Sequence, residues 1–173
     1  RPSRKDLALR ITSELVLVFL LLIANGVLAM AEIALVSARR VRLRQRAQTG
    51  DKGALAALEL AKEPTRFLST VQIGITLVGI FAGAFGGATL AEEIGGWLTG
   101  MGMSEAYGEG IGLGIVVVAI TYLSLIIGEL VPKQVALRDP ERIAAGVAPA
   151  MAMLASIAAP LVWLLDVSGK LVL

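Results

Sequence analysis

Three long apolar runs constrain this chain more than any other feature of its sequence. They extend over residues 15–36, 67–90 and 111–131. A helix needs about 20 predominantly apolar residues to cross a hydrocarbon core of about 30 Å. Each run is long enough, and none shows the strict alternation of a transmembrane β-strand. The sequence therefore predicts an all-α integral membrane protein with three transmembrane helices.

The composition agrees with this prediction and excludes several kinds of site. Charged residues make up 17% of the 173 residues, whereas a soluble domain carries about 25%. The chain contains no cysteine and no histidine, which excludes disulfides, thiolate or imidazole metal sites and Ser/His/Asp triads. We expect neither an enzyme nor a nucleic-acid partner, and any bound metal ion must be held by oxygen atoms.

A fourth apolar run, residues 143–165, differs from the other three. Pro149 and Pro160 each remove a helical hydrogen bond, and Gly146 weakens the helix further. Only residues 150–159 lie between the two prolines, which is too few to span a bilayer. The pattern favours broken amphipathic helices that lie along the membrane or partly inside it, and a straight fourth span is the alternative.

The uneven distribution of charge predicts the orientation. Residues 92–110 carry four glutamates and no Lys or Arg, whereas the connection 37–66 and the segment after the third run are basic. The positive-inside rule places these basic segments in the cytoplasm and the N-terminus outside, despite four cations on the N-terminal tail. The predicted inner cations are Arg39, Arg40, Arg42, Arg44, Arg46, Lys52, Lys62, Arg66, Lys133, Arg138 and Arg142. We expect a multi-pass protein of the plasma or inner cell membrane.

Part of the first cytoplasmic connection is predicted to be helical. Residues 54–61 are strong helix formers, with Leu55, Leu58 and Ala61 on one face, and Pro64 ends the segment. A juxtamembrane helix on the inner leaflet fits this pattern, with the preceding arginines near anionic lipid. A charged face exposed to solvent is the alternative for those arginines.

Polar residues inside the predicted spans are the candidates for function, because ionisable groups at membrane depth are costly. Asn25 and Glu32 share one face of the first helix. An interfacial carboxylate paired with a nearby arginine is the alternative for Glu32. The second helix carries a polar stripe formed by Ser69, Gln72 and Thr76. Hydrogen bonds back to their own helix are the alternative for Ser69 and Thr76.

The second helix continues with Gly79, Gly83 and Gly87, spaced four residues apart. Small residues at this spacing let two helices approach closely in a membrane. We therefore predict a close helix contact on this face, either as helix packing or as the contact of a dimer.

The most specific feature is the segment Gly128-Glu129-Leu130-Val131-Pro132-Lys133. Pro132 has no backbone N–H, so the carbonyl of Gly128, four residues earlier, loses its helical partner. A free carbonyl oxygen beside the Glu129 carboxylate is the combination from which membrane proteins build cation sites. A helix that simply ends at the proline, with Glu129 at the interface, is the alternative.

Oxygen atoms from the neighbouring helices complete the predicted site, which suits hard cations such as Mg²⁺ or Na⁺. The predicted ligands are Glu129, Gly128, Ser69, Gln72, Asn25 and Thr76. Structural or gating roles are predicted for Pro132, Glu32, Gly79 and Gly83.

Three motifs resemble the transmembrane domain of the CorC/CNNM magnesium transporter family, in its bacterial CorC-like form. They are ANG, AEIAL and RRVRL within residues 24–43, STVQIGIT at 69–76, and IGELVPK at 127–133. The resemblance covers about the whole chain, 1–173. It implies a homodimer with three spanning helices per chain and a juxtamembrane helical belt. It also implies cytoplasmic CBS domains beyond residue 173, which this sequence does not include.

The resemblance implies a function as well. That function is Mg²⁺ transport across the membrane, as export and with Na⁺ as a coupling ion. Many family members carry serines where this chain has Ala29 and Ala31, and asparagines where it has Ile75 and Thr76, so their ligand set does not transfer whole. A membrane-anchored magnesium sensor or scaffold that does not itself transport is the alternative function.

Overall fold

The computed structural model describes residues 4–172 and builds this part of the chain from helices, without a strand. Arg1, at the predicted outer terminus, and Leu173 lie outside the described residues. The all-α prediction is confirmed. The elements are α1 (Arg4–Ser37), α2 (Arg40–Gln48), α3 (Lys52–Leu60), α4 (Pro64–Gly100), α5 (Glu105–Leu125), a π-helix (Ile126–Leu130), α6 (Val131–Arg138) and α7 (Pro140–Val172).

Four helical segments of the described chain are long and apolar enough to cross a membrane. Three of them, Leu9–Ser37, Pro64–Gly100 and Glu105–Arg138, contain the three predicted spans. The fourth is Pro140–Leu171. The prediction that prolines break this fourth segment is wrong, because both lie inside the continuous helix α7. Each proline removes one backbone hydrogen bond, and the remaining bonds of a 33-residue helix rich in alanine and leucine maintain it.

The chain forms two compact units. The first unit contains Arg1–Gly26 and Thr76–Leu130, and the second contains Val27–Ile75 and Val131–Leu173. Both units are helical over the described residues.

Glycines set the distance between α4 and α5 in the first unit. A Cβ atom on Gly112 would lie 2.7 Å from the carbonyl oxygen of Ala91, and one on Gly108 would lie 2.9 Å from the carbonyl oxygen of Gly95. Both helices therefore approach to backbone contact. They are joined by a short turn in which Gly102 has a φ of +100°, a conformation that favours glycine.

Helix α1 joins the same unit at Gly86 of α4. A Cβ atom there would lie 3.0 Å from Cγ2 of Val18 on α1 and 2.7 Å from Cδ1 of Ile120 on α5. Val18 and Leu22 are 6% and 3% exposed. This packing fixes the face of α1 that turns toward α4 and α5.

The predicted small-residue stripe makes no such contact within the chain. A Cβ atom added at Gly79, Gly83 or Gly87 would meet no described atom of the rest of the chain within 4 Å. The prediction of a close contact within the chain is wrong, because Gly86, Gly95, Gly108 and Gly112 make the close approaches instead. The contact in a homodimer stays a prediction.

Alanines form the core of the second unit, where α3 packs against α7. The predicted juxtamembrane helix is present as α3, but its buried positions are Ala54 and Ala57, whereas Leu55 is 55% exposed. Alanine allows the two helices to come close, and Gly53 lies against the carbonyl oxygen of Ala145 with no room for a Cβ atom. The buried residues of this core are Ala34, Leu43, Ala54, Ala57, Ala136, Ala144, Ala145 and Ala148.

Charged groups hold the connections of the second unit in place. Asp51 caps α3, since its Oδ1 accepts the N–H of Ala54 at 3.0 Å and its Oδ2 lies 2.9 Å from Nη2 of Arg46. These two hydrogen bonds, that of Ala54 first, hold the pKa of the Asp51 carboxyl below its ordinary value of 3.8. Glu141 is 5% exposed and accepts the backbone N–H of Arg39 at 3.2 Å.

Candidate cation site

Gly128 and Glu129 lie in the π-helix Ile126–Leu130, between α5 and α6. Pro132 follows as the second residue of α6 and has no N–H to donate to the preceding turn. The helix therefore does not end at the proline but widens in the preceding turn and continues to Arg138. Short π-helical insertions of this kind are frequent at functional sites.

The side chain of Asn25 on α1 contacts this widened turn. Its Nδ2 donates a hydrogen bond to the carbonyl oxygen of Gly128 at 3.2 Å, across 103 positions of the sequence. Both residues are buried, and Asn25 is 4% exposed. The carbonyl that Pro132 was predicted to free is thus reached by a side chain from another helix.

Gly128 is required for this contact. A Cβ atom at position 128 would lie 2.8 Å from Nδ2 of Asn25 and 3.4 Å from its Cβ. Any larger residue would displace the Asn25 amide from the carbonyl oxygen. The absence of a side chain at 128 therefore positions Asn25.

The same contact fixes the orientation of the amide group and leaves its oxygen unpaired. A carbonyl can only accept a hydrogen bond, so the NH₂ group of Asn25 must face Gly128. Oδ1 of Asn25 then points elsewhere, exposes less than 1 Å², and receives no hydrogen bond from the described residues. The Gly128 carbonyl still has a second lone pair, because Nδ2 occupies only one.

Glu129 is the acidic residue of the same widened turn. It follows Gly128 in the chain, lies in the same π-helix and is half-buried. Among the described residues, no three Asp, Glu, Cys or His side chains gather as a metal-binding group. The arrangement therefore offers one carboxylate with amide and carbonyl oxygens, a set that suits a hard cation.

The other three predicted ligands lie on α4 and differ in exposure. Thr76 is exposed on α4 in the first unit, and Gln72 is exposed in the second. Ser69 is half-buried in the second unit and lines a cavity of about 840 Å³ together with Arg66 and Asp166. The structure thus brings together Asn25 and Gly128, and a ligand role for Ser69, Gln72 and Thr76 stays a prediction.

Glu32 lies in the second unit, on α1 beyond Asn25, and is half-buried. The sequence placed it on the same helical face as Asn25. Its predicted structural or gating role stays a prediction.

No residue pattern predicts the π-helix, and the sequence analysis also missed one half-buried carboxylate, Glu14. Glu14 directly precedes the first apolar run, where a carboxylate is expected to be interfacial. In the structure its Oε1 accepts a hydrogen bond from Oγ1 of Thr89 at 3.0 Å, within the first unit. Its position on the Asn25 face of α1 was the signal that could have identified it.

Residues 15–173 match the family described as the Cyclin M transmembrane N-terminal domain, CNNM. The chain belongs to the CNNM family. This membership confirms the resemblance stated from the motifs, and it agrees with a multi-pass membrane protein built from apolar helices.

Curated relatives cover most of this CNNM domain. UPF0053 protein sll0260 of Synechocystis is 51% identical over 92% of this chain and 36% of its own length. The polyamine export protein of Haemophilus influenzae is 30% identical over 84% of this chain and 34% of its own length. UPF0053 protein YhdP of Bacillus subtilis is 29% identical over 91% of this chain and 36% of its own length. The chain spans about a third of the length of these relatives, and none of them is named as an enzyme.

Proposed function

We propose that this chain is the membrane domain of a magnesium transporter in which Asn25, Gly128 and Glu129 hold the ion in transit. The observation that carries the proposal is the buried, unpaired Oδ1 of Asn25, whose amide nitrogen is held by the Gly128 carbonyl. A buried acceptor without a partner costs about 1–3 kcal/mol. A hard cation supplies that partner, and the adjacent Glu129 carboxylate balances part of its charge.

The composition of the site favours weak binding, which suits transport. Mg²⁺ takes six oxygen ligands at about 2.0–2.1 Å and loses its water molecules reluctantly. With one carboxylate and two neutral oxygens from the protein, the ion retains several waters. An ion held in this way is released readily, as a transported ion must be.

The direction we propose is export, with Na⁺ as the coupling ion. Membership of the CNNM family and the resemblance of the three motifs to magnesium transporters support this choice. Na⁺ is also a hard cation that prefers oxygen ligands, so the chain needs no other ligand chemistry to accommodate it.

We further propose three spans, with α7 lying along the cytoplasmic face of the membrane. In the second unit, Ala145 near the start of α7 lies against Gly53 of α3. Near its other end, Asp166 and Lys170 line one cavity with Arg66, in the first turn of α4. The positive-inside rule places Gly53 and Arg66 on the cytoplasmic side, so both ends of α7 lie on that side.

A homodimer in the plasma or inner cell membrane completes the proposal. The stripe Gly79, Gly83 and Gly87 is open within the chain, and neighbouring Ile80 and Phe81 are 60% and 44% exposed. Small residues flanked by exposed apolar ones provide the surface on which transmembrane helices associate.

Polyamine export is a second candidate, because one relative of similar extent is named for it. The site has matching chemistry, since a polyamine ammonium group donates hydrogen bonds that both Asn25 Oδ1 and the Glu129 carboxylate can accept. A magnesium sensor or scaffold that uses the same oxygens without transport is the third reading.

Ion flux through the full-length protein in proteoliposomes tests these three hypotheses. Mg²⁺ efflux is measured with and without a Na⁺ gradient, and spermidine efflux is measured in parallel. We expect Glu129→Gln to lower Mg²⁺ flux by about tenfold or more, the scale of losses at metal sites. The matched control is Glu93→Gln, an exposed carboxylate on α4, which should transport like the wild type.

The outcomes separate the candidates. Wild-type Mg²⁺ flux in Glu129→Gln would contradict the proposed site. Spermidine flux without Mg²⁺ flux would favour the polyamine exporter. Mg²⁺ binding without any flux would favour the sensor or scaffold.

A further inference from the structure

Two buried side-chain oxygens in the described part of the chain lack a hydrogen-bond partner, and both lie on α1 in the first unit. They are Oδ1 of Asn25 and Oε2 of Glu14. Eleven residues separate them, which corresponds to about 16 Å along the helix at 1.5 Å per residue. Eleven residues also make about three whole turns, so the two side chains leave α1 on the same face.

Only one of the two carboxylate oxygens of Glu14 has a hydrogen-bond partner among the described residues. Oε1 accepts the hydroxyl hydrogen bond of Thr89 at 3.0 Å, whereas Oε2 exposes less than 1 Å² and receives nothing from the described residues. Burying a carboxylate oxygen without a partner is more costly than burying a neutral one. The site therefore calls for a positive species at Oε2.

Among the side chains that the structure describes on the helices around Glu14, none supplies that positive species. Arg10, one turn away on α1, is exposed. Residues 111–121 of α5 contain no ionisable group, and the nearest ionisable residues after Thr89 on α4 are the exposed Glu92 and Glu93. A cation bound from solution would provide the positive charge that Oε2 of Glu14 lacks among these described side chains.

An apolar barrier separates the two unpaired oxygens. Val18 and Leu22 lie between them on α1 and are 6% and 3% exposed. Gly86 of α4 lies against both Val18 and Ile120 of α5. The two buried apolar side chains lie on α1 between Asn25 and Glu14.

We infer that Glu14 and Thr89 form a second cation site, on the outer side of the Val18 and Leu22 barrier. Its occupant is a hard cation held by carboxylate and hydroxyl oxygens, either the exported Mg²⁺ on its way out or the coupling Na⁺ on its way in. This inference rests on the proposed function, since the N-terminal end of α1 is the outer end only in that orientation.

Cation titration of the full-length protein in nanodiscs tests the inference. MgCl₂ and NaCl are titrated separately by calorimetry into the wild type and four variants. We expect Glu14→Gln to lose one binding event while the Asn25 site is kept. Thr89→Val keeps the carboxylate but removes the hydroxyl ligand, and it should weaken the same event several-fold. Glu93→Gln is the matched control, and Asn25→Leu removes the inner site alone.

Each result has one meaning. Loss of an Mg²⁺ event in Glu14→Gln supports an exit site for the exported ion, and loss of an Na⁺ event supports a site for the coupling ion. Wild-type binding of both salts in Glu14→Gln and Thr89→Val would overturn the inference. If Glu14→Gln lost a binding event and Asn25→Leu lost none, the result would support the outer site at Glu14 and contradict the proposed inner site at Asn25.

Discussion

The two units of this molecule treat buried oxygen atoms in opposite ways. In the second unit, Glu141 is 5% exposed, accepts the backbone N–H of Arg39 at 3.2 Å and lies 3.7 Å from Nη1 of Arg42. In the first unit, Asn25 and Glu14 each keep one buried oxygen for which the described residues provide no donor.

The difference separates residues that stabilise the fold from residues that act on something else. Buried polar groups in native proteins are almost always paired, so an unpaired one requires an explanation. The paired oxygens of the second unit contribute to folding. The unpaired oxygens of the first unit are explained if a ligand binds to them, because native proteins leave such groups unsatisfied mainly at functional sites.

The largest expected effect is a loss of thermal stability caused by a substitution in the second unit. Gly53→Ala places a methyl group against the backbone carbonyl of Ala145, which cannot move aside as a flexible side chain would. Overpacking costs about 1–3 kcal/mol, and rigid backbone on the other side places this variant at the upper end. We expect a marked fall in the melting temperature of the full-length protein in detergent.

Gly146→Ala is the matched control for this variant, because a Cβ atom there meets nothing within 4 Å and the residue lies in the same unit. Its melting temperature should equal or slightly exceed that of the wild type, since alanine is the better helix former. Equal stability of Gly53→Ala and Gly146→Ala would show that the α3–α7 contact is looser than described.

In the first unit, we expect a substitution at Gly128 to lower stability less than Gly53→Ala does but to impair ion binding. Gly128→Ala drives a methyl group to 2.8 Å from Nδ2 of Asn25 and separates the amide from the carbonyl. We expect the protein to fold and its affinity for Mg²⁺ to fall about tenfold or more, the range for residues that orient metal ligands. Calorimetric titration with MgCl₂ measures this loss.

The control is Gly114→Ala on α5, where an added Cβ atom meets nothing within 4 Å. It should bind Mg²⁺ like the wild type. If Gly128→Ala also bound like the wild type, the contact between Asn25 and Gly128 would have no part in the site.

The sequence predicted the residue types of the site better than their arrangement. Asn25, Gly128 and Pro132 were identified because polar, flexible and donor-free residues are conspicuous in apolar runs. Their contact could not be predicted, because it joins positions 103 residues apart through the packing of two helices. The π-helix was also missed, since it changes a hydrogen-bonding register and leaves no pattern in residue type.

The wrong expectations share one physical cause, which is the packing of whole helices against neighbours. Pro149 and Pro160 oppose helix formation locally, yet α7 remains continuous, because packing of its alanines against α3 and its length outweigh two missing hydrogen bonds. On the juxtamembrane helix, Leu55 was predicted to face the inner leaflet and is 55% exposed, whereas Ala54 and Ala57 are buried against the protein. Close helix packing selects small residues, which hydrophobicity alone does not reveal.

The smallest expected effect tests whether the paired oxygens of the second unit stabilise the fold. The pKa of Asp51 is held below its ordinary value of 3.8, first by the N–H of Ala54 and then by Arg46. A carboxyl whose pKa is lower in the folded protein stabilises the fold at pH values above its unfolded pKa. This contribution disappears as the pH falls through the pKa of the folded state.

Asp51→Asn keeps a capping oxygen for α3 but removes the charge that pairs with Arg46. The wild type should therefore melt slightly above Asp51→Asn at neutral pH, and the gap should close below about pH 3.8. Added salt should narrow the gap as well, because exposed ion pairs are screened. Melting temperatures of both proteins across pH 3 to 7 would contradict this account if the gap widened on acidification.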